Sequence, residues 1–436
     1  MNAIAQALAP IVGDSGIWDW ENLTPDWQER IAKAIIPEQL PSTKVDPGSM
    51  LELAQVMACA YQNGWRVLPC GSGSKLGWGG LGKPVDLVIS TQRLDRVIDH
   101  AVDDLTVTAQ AGMKLADLQA MLLKTGQFLP LEPAYSHDAT LGGIIATADS
   151  GAWRQRYGGV RDMLLGISFV RSDGEIAKAG GRVVKNVAGY DLMKLFTGSY
   201  GTLGILTEVT LRLYPVQEAS GTVILTGETD AIASVTKYLL ASALTPTAAD
   251  LLSTKMVATL GVGQGMGLMV RFQSIVESVK EQSSRLLEIG QQLSLKGSSY
   301  SDRAEADLWE SLPKQIWAPS QSPGITCKIG VLPLTAVSTL TQLDTLTSKT
   351  GLGFIHVGSG LGRLRLDLAQ VKPETLLELR HHCQAHKGFV TVLEAPIAWK
   401  QQLDMWGYTG NALNIMRGIK EKFDPKNILS PYRFVI

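Results

Sequence analysis

Between Pro69 and Gly82 the chain reads PCGSGSKLGWGGLG. Glycine reaches positive φ without strain and brings no Cβ, so successive backbone N–H groups can turn inward on one anion. The chemistry on offer is a phosphate cradle built from main chain. Two more glycine-bearing stretches follow. TLGGIIATADSG (Thr140–Gly151) leads into RQRYGG (Arg154–Gly159), and GGRVVKNVAGYDLMKLFTGSYGTLGILTEVTLRL runs from Gly180 to Leu213. One such stretch is an ordinary turn. Several in one region, each beside a strand or helix start, imply a long, flat, phosphate-bearing ligand clamped from several sides. Helix starts near Thr140–Gly143 and Tyr190–Leu192 are expected to offer it unpaired N–H groups.

Known phosphate motifs fit the first loop poorly. A dinucleotide fingerprint needs GxGxxG, but Leu76 stands at the third glycine. A P-loop needs GxxxxGK[ST]. Gly77 to Lys83 fits until Pro84 replaces the Mg²⁺-holding hydroxyl, and the DLVIS strand that follows denies the required helix. A flavin-type pyrophosphate loop and a plain glycine-rich turn both stay open on this segment alone.

Side chains for acid–base or metal chemistry are few. His356 has no partner at ligand spacing and reads as a hydrogen-bonded strand histidine. His382 and His386 are one helical turn apart, but no HExxH glutamate separates them, so with His381 they read as a solvated face. Cys59, Cys70, Cys327 and Cys383 show no CxxC pair, no metal spacing and no disulfide framework. No metal site is expected. A substrate carboxylate would need a cation, and Arg363 and Arg365 alternate on one strand face, with Arg271 a further candidate. A buried Arg–carboxylate bond is worth ~1.5–3 kcal/mol; the competing reading is three ordinary exposed cations. Beyond these candidates the catalytic residues are unassigned.

The elements that must position these groups are legible. Ser49 and Glu52 make a capping box for a helix that Gly64 closes. Strands are expected at Arg66–Pro69, Asp86–Ser90, Leu105–Gln110 and Leu164–Arg171, with a short helix at Leu94–Ile98 and another, whose Leu115, Leu118 and Leu122 share one apolar face, ending at Gly126. Gly204–Leu213 alternates like a half-buried strand. Further on, strand pairs split by helices suggest an open antiparallel sheet with helices on one face. The expected domains are a lead-in (1–48), a glycine-dense α/β region (49–216), an α+β region (217–408), and a helix and tail (409–436) returning to the second. With 436 residues, 45% hydrophobic and 19% charged, extended disorder is excluded. Lys+Arg 40 against Asp+Glu 41 gives −1, which argues against nucleic acid as partner. No apolar run is long enough for a membrane span, and MNAIAQALAP lacks the basic start of a secretory signal, so a cytoplasmic location is expected.

GSGSKLGWGG, TLGGIIAT, KNVAGYDLMKLFTGSYGTLGIL and the terminal FDPKNILSP together resemble the FAD-binding domain of the vanillyl-alcohol oxidase / p-cresol methylhydroxylase (PCMH/VAO) superfamily. Within it the chain is most similar to the smaller flavin (E) subunits of bacterial glycolate oxidases. The resemblance implies an α+β fold: a PCMH/VAO-type FAD domain of two α/β subdomains, plus a ferredoxin-like α+β cap. It implies that Pro69, Gly71, Ser72, Gly73, Ser74 and Lys75 surround the pyrophosphate. Pro133, Thr140, Leu141, Gly142, Gly143, Thr147, Ser150 and Tyr157 would continue the cradle. Asn186, Gly189 and Tyr190 would lie near the flavin, with Gly204 and Ile205 bonding the ring by backbone. Oxidation of a small 2-hydroxy acid would send a hydride from the α-carbon to the flavin.

Departures from the family pattern shape the rest. Covalent members carry a His in the glycine loop where this chain has Ser74-Lys75, so FAD is expected to be non-covalent. Ser199-Tyr200-Gly201 replaces Ser-Glu-Gly, and Ser430-Pro431-Tyr432 replaces Asn-Pro-Gly. Related 2-hydroxy-acid dehydrogenases carry HxGxGxxH and Glu-His-Gly as metal ligands and base. Here the first ends in Arg363 and the second reads Glu394-Ala395-Pro396. With the base position an alanine, a larger flavin subunit is expected to oxidise most substrate. Electrons would leave through an Fe–S subunit of the glycolate oxidase complex to quinone, with membrane contact only through these partners. The alternatives are a self-sufficient flavoenzyme for an acid such as D-lactate, and a non-catalytic nucleotide-binding scaffold.

Overall fold

The structure is a computed structural model that describes residues 2–82, 84–182, 189–317 and 323–435. The chain divides into two units. The first is Met1–Gly151, Gly159–Val216 and Thr409–Ile436; the second is Ala152–Gly158 and Gln217–Tyr408.

The first unit contains two sheets and a short ribbon. Strands β1 (Ile17–Asp19), β2 (Thr43–Val45), β3 (Val67–Cys70) and β4 (Leu87–Ser90) pair in the order β1-β2-β4-β3, with β2 and β3 parallel to β4. The second sheet joins β5 (Val97–Ala101), β6 (Thr106–Gln110), β8 (Leu164–Val170), β9 (Ile176–Gly180) and β10 (Ile205–Arg212) in the order β5-β6-β10-β8-β9. The ribbon pairs β7 (Gln127–Phe128) with β11 (Tyr214–Pro215).

Half of the capping box forms: Ser49 Oγ accepts from Glu52 N at 3.1 Å, while Glu52 Oε2 reaches past the cap residue to accept from Gly48 N at 2.8 Å. It starts the helix Met50–Asn63, whose buried Leu53, Val56, Met57 and Ala60 sit at helical spacing and pack on Val45, Val67, Leu87 and Ile89. Gly64, in the left-handed region, ends it.

Two expectations change here. Leu94–Ile98 is not a helix. The chain turns and enters β5, because pairing with β6 outweighs a short helical pattern. Strand β10 is buried on both faces rather than one: of its eight residues all but Glu208 and Arg212 are buried.

The second unit is an eight-stranded sheet, antiparallel throughout. It joins β12 (Ala219–Gly227), β13 (Ala248–Leu252), β14 (Met266–Ser274), β15 (Lys296–Ser301), β16 (Gly324–Gly330), β17 (Leu352–His356), β18 (Leu361–Asp367) and β19 (Phe389–Glu394), in the order β15-β12-β14-β13-β17-β18-β16-β19. Helices Thr229–Ala241, Val276–Gln292, Ala336–Leu346 and Pro373–Ala385 cover one face. The other face is also partly covered, contrary to the one-sided expectation. There Ile224, Met269 and Phe354 meet Met256 and Val257 of one helix and Leu308, Leu312 and Ile316 of Asp302–Trp317. That last helix holds Pro313 and many charges, which hide its one apolar stripe in the sequence.

The tail is tied to the first unit by buried charge. From the helix Leu413–Phe423, Lys420 Nζ donates to Thr202 O at 3.0 Å and Leu429 O at 2.8 Å, and to the Asp424 carboxylate. Val67 N donates to Ile428 O (2.7 Å) and Ser430 N to Val67 O (2.8 Å), so the last residues run along β3.

Candidate functional site

Strand β3 delivers the chain into the glycine loop, and the carbonyls of that loop are drawn away on its outer side. Cys70 O accepts from Thr91 N at 2.9 Å, and Gly71 O from Ser90 Oγ at 2.8 Å. Ser72 O accepts from Arg30 Nη1 at 3.0 Å, and Leu76 O and Trp78 O from Arg433 Nη2 at 2.8 Å each. By contrast, the amides of Gly71, Ser72, Gly73 and Ser74 have no acceptor among the described residues. Four consecutive unpaired donors form a nest for an anion. Two of its positions require glycine. A Cβ on Gly71 would lie 2.1 Å from Thr140 Oγ1, and Gly73 has φ +80 with the Trp27 ring beneath it.

The four residues line a cleft within the first unit, enclosing about 810 Å³ including its open mouth. Thr140, Gly142, Gly143, Ala146 and Thr147 form one wall, and Ser199–Gly201 with Gly204–Leu206 another. Among the described residues, two cations, Lys75 and Arg433, line it and no carboxylate does. Lys75 Nζ is 3.0 Å from the Asp149 carboxylate, both buried. Burial pushes the Arg433 guanidinium down to about 10 and the Cys70 thiol up to about 12, so Cys70 stays protonated.

The amides expected at the helix start do not materialise. In Leu141–Thr147 the first N–H groups are already used: Leu141 N on Met113 O, Gly142 N on Ala111 O, Gly143 N on Thr140 Oγ1. The cradle therefore rests on the loop. Leu192 N likewise bonds Tyr190 O.

Of the residues singled out in the sequence, Pro69, Gly71 through Lys75, Thr140, Gly142, Gly143, Thr147, Gly204 and Ile205 line the cleft. Leu141 is buried behind it. Pro133 is not in the lining, and Ser150 uses its hydroxyl to accept from Val160 N. Tyr157 belongs to the second unit, and Tyr190 is 88% exposed. Gly189 is also outside the lining, and Asn186 lies outside the described residues. Sequence reasoning missed Tyr200, Gly201 and Arg433. Arg433 ends the FDPKNILSPYR string, which signals a returning tail but not where it passes.

In the second unit His356 Nδ1 is 2.6 Å from Asp250 Oδ1, and both are buried. Arg271 Nε donates to Glu305 Oε1 at 2.9 Å and to Ser220 Oγ at 3.1 Å. Arg365 Nη1 donates to Ile316 O at the end of its helix, and Arg363, on the same face, donates to Gly362 O. Leu364 and Leu366 enter the core opposite, which confirms the shared face. Among the described residues, no three His, Cys, Asp or Glu side chains converge on a metal position.

Residues 41–180 match the family described as FAD binding domain. This is an FAD-binding flavoprotein. Glycolate oxidase subunit GlcD of Bacillus subtilis (strain 168) is 24% identical over 426 residues, 90% of this chain and 89% of that protein. The mitochondrial D-lactate dehydrogenase [cytochrome] of Arabidopsis thaliana is 26% identical, over 95% of this chain and 78% of its own. Glycolate oxidase subunit GlcE of Escherichia coli (strain K12) is 41% identical over 142 residues, 32% of this chain and 41% of that one. The crystal structure of p-cresol methylhydroxylase with substrate bound superposes with a TM-score of 0.75 over 99% of this chain and 96% of that one, at 14% identity. The fold is thus the α+β PCMH/VAO type. The cleft of this flavoprotein suits FAD: its unpaired amides and cations match the charge of a pyrophosphate, and among the described residues no carboxylate lines it.

Proposed function

We propose that this flavoprotein is the FAD-bearing subunit of a glycolate-oxidising complex. It would work with a larger flavin subunit and an Fe–S subunit that passes electrons to quinone. The observation that carries the reading is the four-amide nest, set in an FAD-binding domain similar to two glycolate oxidase subunits. The extent of similarity favours the D-type subunit and the degree of identity the E-type. The absence of a base at Ala395 and the engagement of Arg271 by Glu305 favour the E-type, a subunit that needs a partner.

Bound FAD supplies the acceptor for the two electrons leaving the substrate. The chain's own part is to hold it. The loop amides would hold its anion, and the Lys75–Asp149 pair braces the loop without adding net charge. No histidine replaces Ser74-Lys75, so attachment is non-covalent. The second reading, a self-sufficient D-lactate dehydrogenase, is favoured by the near full-length similarity to the plant enzyme.

The purified chain, reconstituted with FAD, is assayed with glycolate and D-lactate and an artificial acceptor, alone and co-purified with the partner subunits. Turnover appearing only with partners supports the subunit reading. Glycolate turnover by the chain alone at the rate of the full complex overturns it. Flavin absorbance near ~370 and ~450 nm tests the cofactor separately.

A further inference from the structure

The two cations of the cleft are not equivalent. Lys75 is neutralised by Asp149. Arg433 is 4% exposed, and its bonds go to three carbonyls: Ala34 O at 3.0 Å, and Leu76 O and Trp78 O at 2.8 Å. Among the described residues no carboxylate pairs with it. The three bonds use both Nη2 hydrogens and one on Nη1, which leaves Nε–H and the second Nη1–H over. Carbonyls satisfy donors but do not cancel charge, and a charge buried without its opposite is costly. The depressed guanidinium reports that cost.

The same side chain governs the loop. Its fork takes the carbonyls of Leu76 and Trp78, just beyond the nest, while Gly80 N returns a bond to Arg433 O at 3.2 Å. On the other side Phe434 stacks on Tyr200 of the cleft wall, with ring centroids 5.5 Å apart. The tail is thereby threaded between the loop and the wall.

We propose that Arg433, brought in by the C-terminal tail, is the counter-cation of the cofactor's pyrophosphate, and that its fork holds the glycine loop in the form that leaves the Gly71–Ser74 amides for the same anion. The proposal rests on the FAD assignment. Arginine suits both duties, since a planar guanidinium bridges two carbonyls and still presents charge, which a lysine cannot do.

The test uses apoprotein of the full chain titrated with FAD, read by flavin fluorescence and calorimetry at low and high KCl. Arg433→Met is expected to weaken FAD at least tenfold and to flatten the salt dependence, because one cation facing the anion is gone. Arg433→Lys is expected to weaken it while keeping the wild-type salt slope. An Arg433→Met affinity within twofold of wild type overturns the proposal. So does a weakened affinity with an unchanged salt slope, which would make the residue a loop brace only. Circular dichroism and thermal unfolding report whether each variant folds. If Arg433→Met does not, the Lys variant decides: wild-type affinity overturns the fork, and a lost salt slope overturns the charge. If wild-type apoprotein fails to bind FAD, the cofactor assignment falls; if only the variants behave like wild type, Arg433 alone does.

Discussion

Gly71→Ala is the sharpest perturbation of the nest. The added Cβ would sit 2.1 Å from Thr140 Oγ1 and 2.8 Å from its Cγ2. Ordinary carbon contacts are ~3.5 Å, so the two must part by more than an ångström. Thr140 cannot easily yield. It is buried and caps its helix by accepting from Gly143 N at 3.3 Å. The loop moves instead, and that displacement misaligns amides meant for the same anion. A hydrogen bond to a charged group is worth ~1.5–3 kcal/mol, so losing one weakens FAD by about ten- to a hundredfold. Apoprotein titrated with FAD, with thermal unfolding as the folding check, measures this. Thr140→Ala in the Gly71→Ala background removes the two nearest atoms and should recover part of the loss. It costs about 1 kcal/mol of cap energy when made alone. Gly71→Ala binding FAD within twofold of wild type, or a double variant no better than the single, refutes the reasoning.

Lys75→Met leaves the buried Asp149 carboxylate without its cation and should cost ~3–5 kcal/mol in urea unfolding; a change near zero would mean that Ala134 N, 2.8 Å from Asp149 Oδ2, suffices. Lys420→Met removes two carbonyl bonds and the Asp424 pair, so the tail should become the first site of cleavage in limited proteolysis, and wild-type resistance would contradict its role as an anchor. For Asp138, burial raises the carboxyl, but Lys114 and Arg30 outweigh it and hold it below the ordinary value. A depressed carboxyl stabilises above its unfolded value of about 3.9 and loses that contribution as pH falls through the folded value. Asp138→Asn should therefore show a shallower fall of Tm on acidification. The side chain is 43% exposed, so solvent screening limits the effect to well under ~1 kcal/mol. A drop as steep as that of wild type would show that this cluster plays no part in acid unfolding.

Local signals carried well where neighbours in sequence make the structure. The Ser49 cap on Glu52 N, the left-handed Gly64 and the glycine loop after β3 are all short-range features. They failed where partners are distant. Leu94–Ile98 carries a weak helical pattern that β6 overrides, and β10 reads as half-buried because nothing local reveals a sheet covered on both sides. The amides of Leu141 and Gly142 looked available because the sequence cannot show that Met113 and Ala111 lie alongside, whereas Gly143 N is taken locally by the Thr140 cap.

The sequence by itself determined that this chain offers backbone to a phosphate. Several glycine-bearing stretches in one region, each beside a strand or helix start, carry that capacity together, and histidines and cysteines without metal-ligand spacing narrow the side-chain chemistry. Only the tertiary structure decided which amides are left for the ligand, because that depends on where the carbonyls go. Arg30 precedes the loop by some forty positions and Arg433 follows it by more than three hundred and fifty. A bond between residues so far apart has no periodicity to betray it; it exists because packing of the hydrophobic core brings the two ends of the chain to one loop.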